Sequence, residues 1–439
     1  MTVVAENGTL VLRPKIWLEF LEHESVAHYD NVVVTVPSIA ILAISTLLAD
    51  KVGYIVNMGA YYSMKTIDPR LFRNLTVSEY FWGYPDTIVH LANKFLPGWI
   101  DFEQIGIMDR FYAQRNETVE IELGDESKKY TIKTWAGSPG LKEQGFTDLN
   151  HSVPCNRVQG AYEGLMMTPN MSKNQSLPMF RKQACRVYPF SFQKELPSGY
   201  GFNMHRYTMD ESAFNTSSEY ACKCDSNCLP EGIIDIGNCY YGFPITLSKP
   251  HYTDVDPEQV KNFEGLTPDR ERYLSKIDFE PILGIPIAIS SAVQVNIAVR
   301  TSPGNQLTKP LKDKVMPLIW LKMFVKEPPA GAVIPLQLRF VYAPPIVLTL
   351  EIISIIVGAG LVAQGLYRVW KPRYHLVDNT TSKPKKEIKK NKQKEKKRRR
   401  KSNVVINMAF KGFNDNEELA KQAVSLLAVQ EDSFLERDT

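Results

Sequence analysis

Apolar positions in the first 35 residues alternate with polar ones in short runs. The runs "TLVLRP" and "NVVVTVP" are rich in β-branched residues and end in proline, which predicts short strands. Residues 38–62, "SIAILAISTLLADKVGYIVNMGAYY", change to a helical pattern, with Ser38 after Pro37 as its candidate cap. The apolar part, Ile39 to Ala49, is too short to cross a bilayer and predicts a helix packed on its own domain. From about residue 100 to 343, apolar runs such as "IPIAISSAVQVNIAV" and "PLIWLKMFV" are interrupted by frequent Pro, Gly and Asn. That pattern predicts many strands joined by long loops, an α+β fold dominated by antiparallel sheet. No internal repeat is visible, and no change of composition divides residues 1–343.

From Ile346 to Tyr367 the chain reads "IVLTLEIISIIVGAGLVAQGLY", with Glu351 and Gln364 as its strongly polar positions. At about 1.5 Å per residue this run spans about 33 Å, enough for a hydrocarbon core of about 30 Å. A buried core helix has the same composition. The sharp flanks, Pro344 and Pro345 before and Arg368, Lys371 and Arg373 after, favour a transmembrane helix. Beyond it, Lys383 to Lys401 holds thirteen basic residues against two acidic ones. The positive-inside rule then places this side in the cytosol and residues 1–343 in an extracellular or lumenal space.

Charge divides accordingly. Residues 368–439 carry 19 basic and 10 acidic groups, net +9, so a chain of total charge +4 leaves −5 on the remainder. The outer part has no basic patch suited to nucleic acid. Near an anionic inner leaflet each Lys or Arg of the run is worth about 1 kcal/mol, so inner-leaflet lipids are its expected partner. A solvated tail that only fixes topology is the alternative. Within this tail, "YHLV" at Tyr374 fits a sorting tetrapeptide and residues 414–431 a capped amphipathic helix, while the rest is expected to be disordered.

Eight N-x-S/T sequons occur, and seven lie before the apolar run: Asn7, Asn74, Asn116, Asn150, Asn170, Asn174 and Asn215. The eighth, Asn379, falls on the cytosolic side and is expected to stay unused. All six cysteines, Cys155, Cys185, Cys222, Cys224, Cys228 and Cys239, are interleaved with the seven. Taken alone, "CKCDSNC" suits thiolate coordination of zinc as well as it suits bridges. The sequons, the apolar run and the two outlying cysteines favour an oxidising compartment and disulfides, with no metal.

A search for catalytic chemistry returns little. "HESVAH" at His23 has one residue too many for a zinc-protease motif, and on a helix the second imidazole would turn about 140° away from the first. No GxSxG elbow, phosphate loop or dinucleotide fingerprint appears, so neither an enzyme nor a cofactor is expected. Lys51 and Lys65 flank the helical segment and are candidates for a cationic surface.

Several separated motifs resemble the class B scavenger receptor family, which includes the fatty acid translocase, lysosomal integral membrane protein and sensory neuron membrane protein branches. They are "EYFWGYPDT", "CNRVQGAYEG", "FRKQACR", the stretch from Cys222 to Asp256, "FEGLTPDRERY", "IDFEPILGIPI", "VQVNIAV" and "MPLIW", in colinear order over residues 5–368. The resemblance implies a large antiparallel β-barrel-like ectodomain with an apical helical bundle and a lipid-sized tunnel. Residues 38–72 would belong to that bundle, which makes Lys51 and Lys65 expected ligand-capturing residues. The family's pairing implies Cys155 with Cys222, Cys185 with Cys239, and Cys224 with Cys228. The last spacing is shorter than the family pattern.

The implied function is a receptor that binds fatty acids, sterols or lipoproteins and passes hydrophobic cargo to the membrane of the cell surface or of endosomes and lysosomes. A sensory role for lipid-like odorants and a sorting role for a lumenal hydrolase are the alternatives within the family. Two departures stand out. Family members carry a first transmembrane helix and further ectodomain before the point matched by Met1, so an N-terminally truncated sequence with unpaired strand edges is expected. The long basic and then acidic extension has no family counterpart.

Overall fold

The structure, a computed structural model, describes residues 2–370 apart from 7, 15, 17, 50, 113–116, 217, 221, 223, 225–227, 262, 326–327 and 329. The sequon residues Asn7 and Asn116, the sorting tetrapeptide at Tyr374 and the tail with its basic run lie outside the described residues. The chain divides into two compact units, Met1–Ser198 with Asn203–Glu327, and Gly199–Phe202 with Pro328–Thr439.

The first unit begins with strands β1 (Thr2–Glu6), β2 (Thr9–Arg13) and β3 (Val33–Pro37) and helices α1 (Ile39–Ala49) and α2 (Tyr54–Ile67). Next come β4 (Phe72–Thr76), α3 (Val77–Trp82), β5 (Tyr84–Pro85), α4 (Thr87–Phe95), β6 (Gln104–Ile105) and α5 (Ile107–Tyr112). The rest is mostly strand: β7 (Val119–Glu122), β8 (Ile132–Trp135), β9 (Leu177–Arg181), β10 (Arg186–Pro197), β11 (Asn203–Met209), β12 (Ile233–Asp235) and β13 (Ile245–Ser248). After the short helix α6 (Pro257–Val260) follow β14 (Lys276–Glu280), β15 (Ile285–Ala298) and β16 (Val315–Phe324).

Antiparallel pairing in the order β12-β13-β15-β14-β11-β10-β9, with β16 added on β15, makes an eight-stranded sheet. It curls into a half-barrel and does not close, since the path runs from β12 to β9 without returning. Strand β15 pairs with β14 through its first half and with β13 and β16 through its second. Bulges between Phe192 and Lys194 and between Asp278 and Phe279 raise the local twist that curls the sheet. A second sheet, β1-β2-β7-β8, has its own core of Leu12, Val119, Ile121 and Ile132.

Helix α1 is apolar on nearly every face, and Ile41 and Leu42 are fully buried. Burying each such side chain contributes about 1.5–3 kcal/mol, so the helix belongs inside the unit and not on it. The single helix expected over residues 38–62 is in fact two. The chain turns after Ala49, where the amides of Lys51 and Val52 both donate to Leu48 O, and Gly53 starts α2. The buried Asn57 amide donates to the carbonyls of Leu48 and Val52 and so ties α2 to the turn that precedes it. Ser38 does not cap α1: its hydroxyl is buried and, among the described residues, has no hydrogen-bond partner. Two later starts are capped, α3 by a Thr76–Glu79 capping box and α4 by Asp86, which accepts from Ile88 N at 2.8 Å.

In the second unit one helical run extends from Ala330 to Trp370 over 41 residues. It comprises α7 (Ala330–Gln337), a π-turn (Leu338–Tyr342) and α8 (Ala343–Trp370). The apolar run expected from Ile346 therefore starts earlier, and Pro344 and Pro345 lie inside the helix and do not open it. The π-turn accommodates them: Ala343 N donates to Leu338 O one residue further back than in an α-helix, just before two residues that have no N–H to give. Side chains along α8 are exposed, Ile355 at 69% and Leu366 at 65%. A soluble core helix of this composition would be buried, so the exposure favours a bilayer-crossing helix.

Candidate functional site

Inside the first unit lies an apolar cavity of about 80 Å³, set within about 800 Å³ of unfilled space that includes its mouth. Ala40 and Ala43 of α1, Ile88 and Ala92 of α4, and Val295 of β15 form part of its wall. Trp99, Phe102 and Phe243 add an aromatic cluster, with ring centroids 5.6 Å apart for Trp99 and Phe243 and 6.1 Å for Phe102 and Phe243. Two tyrosines also line it, yet their polar ends are spent elsewhere. Tyr240 OH donates to Gln183 O at 2.7 Å, and Tyr241 OH donates to Asp101. The wall is thereby left apolar. Gly106 lies where the chain passes β5; an added Cβ would come within 2.5 Å of the Trp82 backbone, so only glycine fits.

A second cavity of about 50 Å³ shares Phe111 and Val295 with the first. Its wall is mostly apolar, including Phe190, Phe214 and Leu247, and it also holds Arg181 and Tyr188. A third cavity of about 80 Å³ shares Phe111, Tyr112, Arg181 and Gln183 with the second and is more polar than the other two, with Glu117, Glu163 and Lys182 in its wall. Lys182 Nζ pairs with Glu117 Oε2 at 2.7 Å. Burial pushes the Glu163 carboxyl up from its ordinary pKa and draws the Arg181 guanidinium down. Phe111, on the short helix α5, is on the wall of all three cavities, which thus run from apolar to mixed around one side chain.

The residues expected from the sequence fall elsewhere. Lys51 is exposed in the turn before α2 and Lys65 is exposed in its last turn, 5.8 Å from the Tyr61 ring centroid. Fourteen residues of helix, about 21 Å, separate those two ends, and neither lysine lines the three cavities. Three disulfides close Cys155–Cys222, Cys185–Cys239 and Cys224–Cys228. Asn74, Asn150, Asn170 and Asn174 are exposed and Asn215 is half-buried. Among the described residues no cluster of three His, Cys, Asp or Glu is arranged to hold a metal ion.

Sequence reasoning missed the cavity walls. Their residues read as ordinary core positions, and Arg181 sits inside "FRKQACR" with no role of its own legible there.

Comparison with known proteins places the chain. The family described as CD36 family matches residues 1–369. Scavenger receptor class B member 1 of Sus scrofa is 28% identical over 325 residues, 72% of this chain and 61% of that protein. The Mus musculus protein of the same name is 27% identical over 348 residues, 73% of this chain and 65% of that protein. Sensory neuron membrane protein 1 of Plutella xylostella is 35% identical over 168 residues, 38% of this chain and 31% of that protein. The chain spans less than two thirds of the length of the scavenger receptor relatives it matches. Because the family match runs from the first strand almost to the end of the apolar helix, the chain belongs to the CD36 family, as a class B scavenger receptor-like membrane protein.

Proposed function

We propose that this protein is a non-enzymatic receptor that binds fatty acids, sterols or lipoproteins and passes apolar cargo through its interior to the bilayer. The observation that supports this reading is the run of cavities that meet at Phe111. Each methylene leaving water contributes about 0.8 kcal/mol, so an apolar passage holds and releases lipid chains without covalent chemistry. Lys51 and Lys65, beside the exposed Tyr54, Ile55 and Tyr62 of α2, would serve as the outer capture surface, part of an apical helical bundle. In this reading residues 1–343 face the cell exterior or an endosomal or lysosomal lumen. The basic run engages anionic lipids of the inner leaflet.

The test is uptake. Cells expressing the full chain are expected to take up labelled fatty acid, sterol ester or carotenoid above vector controls, and no uptake of any apolar ligand overturns the reading. A chemosensory role is the second reading, favoured by the 35% identity to the Plutella xylostella protein. Expression confined to sensory cells supports it and gut or blood-cell expression opposes it. Sorting of a lumenal hydrolase would instead require lysosomal residence that is lost when Tyr374 is replaced.

A further inference from the structure

The tip of the hairpin that joins β10 to β11 groups with the long helix. Gly199–Phe202 belongs to the second unit, whereas the strands on either side of it belong to the first. Contacts to the helix hold the tip there. Gln337 Nε2 donates to Tyr200 O at 3.3 Å. The Phe202 and Phe340 rings lie 6.3 Å apart, and Tyr200 stacks on Phe202 at the same distance. Gly201, at φ +91°, faces Val341 so closely that an added Cβ would stand 3.1 Å from its Cγ2. Gln337, Phe340 and Val341 continue the helix face on which Val333 and Leu336 are buried, and from Pro344 to Trp370 every position is exposed. The tip therefore sits at the joint between a helix with one buried face and a helix exposed all round, where the π-turn lies.

At this joint the helix does little to fix its own register. Pro344 and Pro345 have no N–H to give in an α-helix or in a π-turn, so two carbonyls lose their helical donor in either arrangement. What packs on the turn then selects between them. The packed element is the end of a lever: the β10–β11 pairing runs from Pro197 and Asn203 back to Phe190 and Met209, an arm of about 20 Å. Strand β9 pairs with β10 only as far as Phe190, and beyond that residue β10 pairs, among the described residues, with β11 alone. Phe190 and Met209, at this pivot, both line the second cavity. One end of the hairpin is thus on the helix and the other on a cavity wall.

We propose that the hairpin tip is a latch on the π-turn, through which the position of the helix in the bilayer sets the width of the second cavity at Phe190 and Met209. The latch stands on this packing. Its use, to regulate the passage of apolar cargo, rests on the receptor reading.

Bilayer thickness moves the helix without touching the hairpin, because a span longer than the hydrocarbon layer tilts. The full chain is placed in nanodiscs of dimyristoyl- and of dierucoyl-phosphatidylcholine, and amide hydrogen exchange is read by mass spectrometry over residues 190–209, with β7 and β8 as the internal reference. Exchange in the hairpin is expected to differ by about tenfold between the two bilayers while the reference stays constant. Gly201→Val, which drives a branched side chain against Val341, is expected to make hairpin exchange equal in both. Equal exchange in the unaltered protein, or an undiminished response in Gly201→Val, overturns the latch. Should Gly201→Val fail to fold, Phe340→Ala combined with Gln337→Ala decides by the same comparison. In cells, Gly201→Val is expected to change uptake of labelled sterol ester several-fold at equal surface abundance and unchanged surface binding. Unchanged uptake overturns the regulatory use, whereas absence of uptake by the unaltered protein overturns the receptor reading and leaves the latch to be decided by exchange.

Discussion

Phe111 stands edge-on to Tyr240, with ring centroids 5.2 Å apart and planes at 64°. Tyr240 belongs to the first cavity alone, whereas Phe111 also borders the other two. A single side chain thus borders all three spaces. Phe111→Trp is expected to narrow the junction and lower lipid uptake several-fold at unchanged surface abundance. Phe111→Ala should merge the spaces and cost about 3 kcal/mol of stability through the cavity it leaves. Unchanged uptake in Phe111→Trp would show that cargo takes another route.

Arg73 joins two acids that hold the helical segment to its sheet. Its Nη2 lies 2.7 Å from Asp68 Oδ2 and 2.8 Å from Asp86 Oδ2, and the Asp86 side chain is fully buried. Arg73→Met strands a buried carboxylate that also caps α4, so we expect a loss of about 3–5 kcal/mol in denaturant titration. The exposed Lys261–Glu258 pair is the contrast, and Lys261→Met should change stability by less than about 1 kcal/mol. Similar effects for the two substitutions would refute the assignment.

Stability should fall on acidification in two stages. Burial holds the pKa of His205 and of His251 below the ordinary histidine value, so the unfolded chain takes up their protons first. That contribution is lost as pH drops below about 6.5, the unfolded value. The Arg70 hydrogen bond to Asp68 keeps its carboxyl below the ordinary range, which adds stability above about pH 4 that is lost as pH falls further. Melting temperature against pH checks both stages. Replacing both histidines with Gln should flatten the upper one, and Asp68→Asn the lower.

Closing loops of 67 and 54 residues at Cys155–Cys222 and Cys185–Cys239 constrains the unfolded chain by about 4 kcal/mol each in the entropic account, against about 2 kcal/mol for Cys224–Cys228. Removing the last pair should therefore be tolerated, while removing either long-range pair should sharply reduce the yield of folded protein in the membrane. Mass spectrometry of non-reduced peptides checks the pairing, and free thiols or bound zinc would contradict it.

Glycan mapping reads the topology. Asn150 and Asn174 are exposed and are expected to carry glycans that an N-glycosidase removes, while Asn379 stays bare. A glycan on Asn379 would reverse the orientation inferred from the basic run.

Local pattern was enough for several elements. The β-branched runs form β2 and β3, the eleven apolar residues from Ile39 form α1, and the apolar run near the C-terminus is a helix long enough to cross a bilayer. Each of these depends on neighbours in the chain, which is what a linear pattern records. Tertiary structure decided how the break in the expected helix 38–62 is held, with Asn57 buried and its amide donating back to the carbonyls of Leu48 and Val52. It also decided that Pro344 and Pro345 stay inside a helix, through the π-turn just before them. Above all it decided the cavities. Ile39, Phe111, Phe243 and Val295 are each as apolar as any core residue, and a wall differs from a core only in what is left unfilled between distant segments. Arg181 gains its place in the same way, from strands that bring a charged side chain to an apolar space.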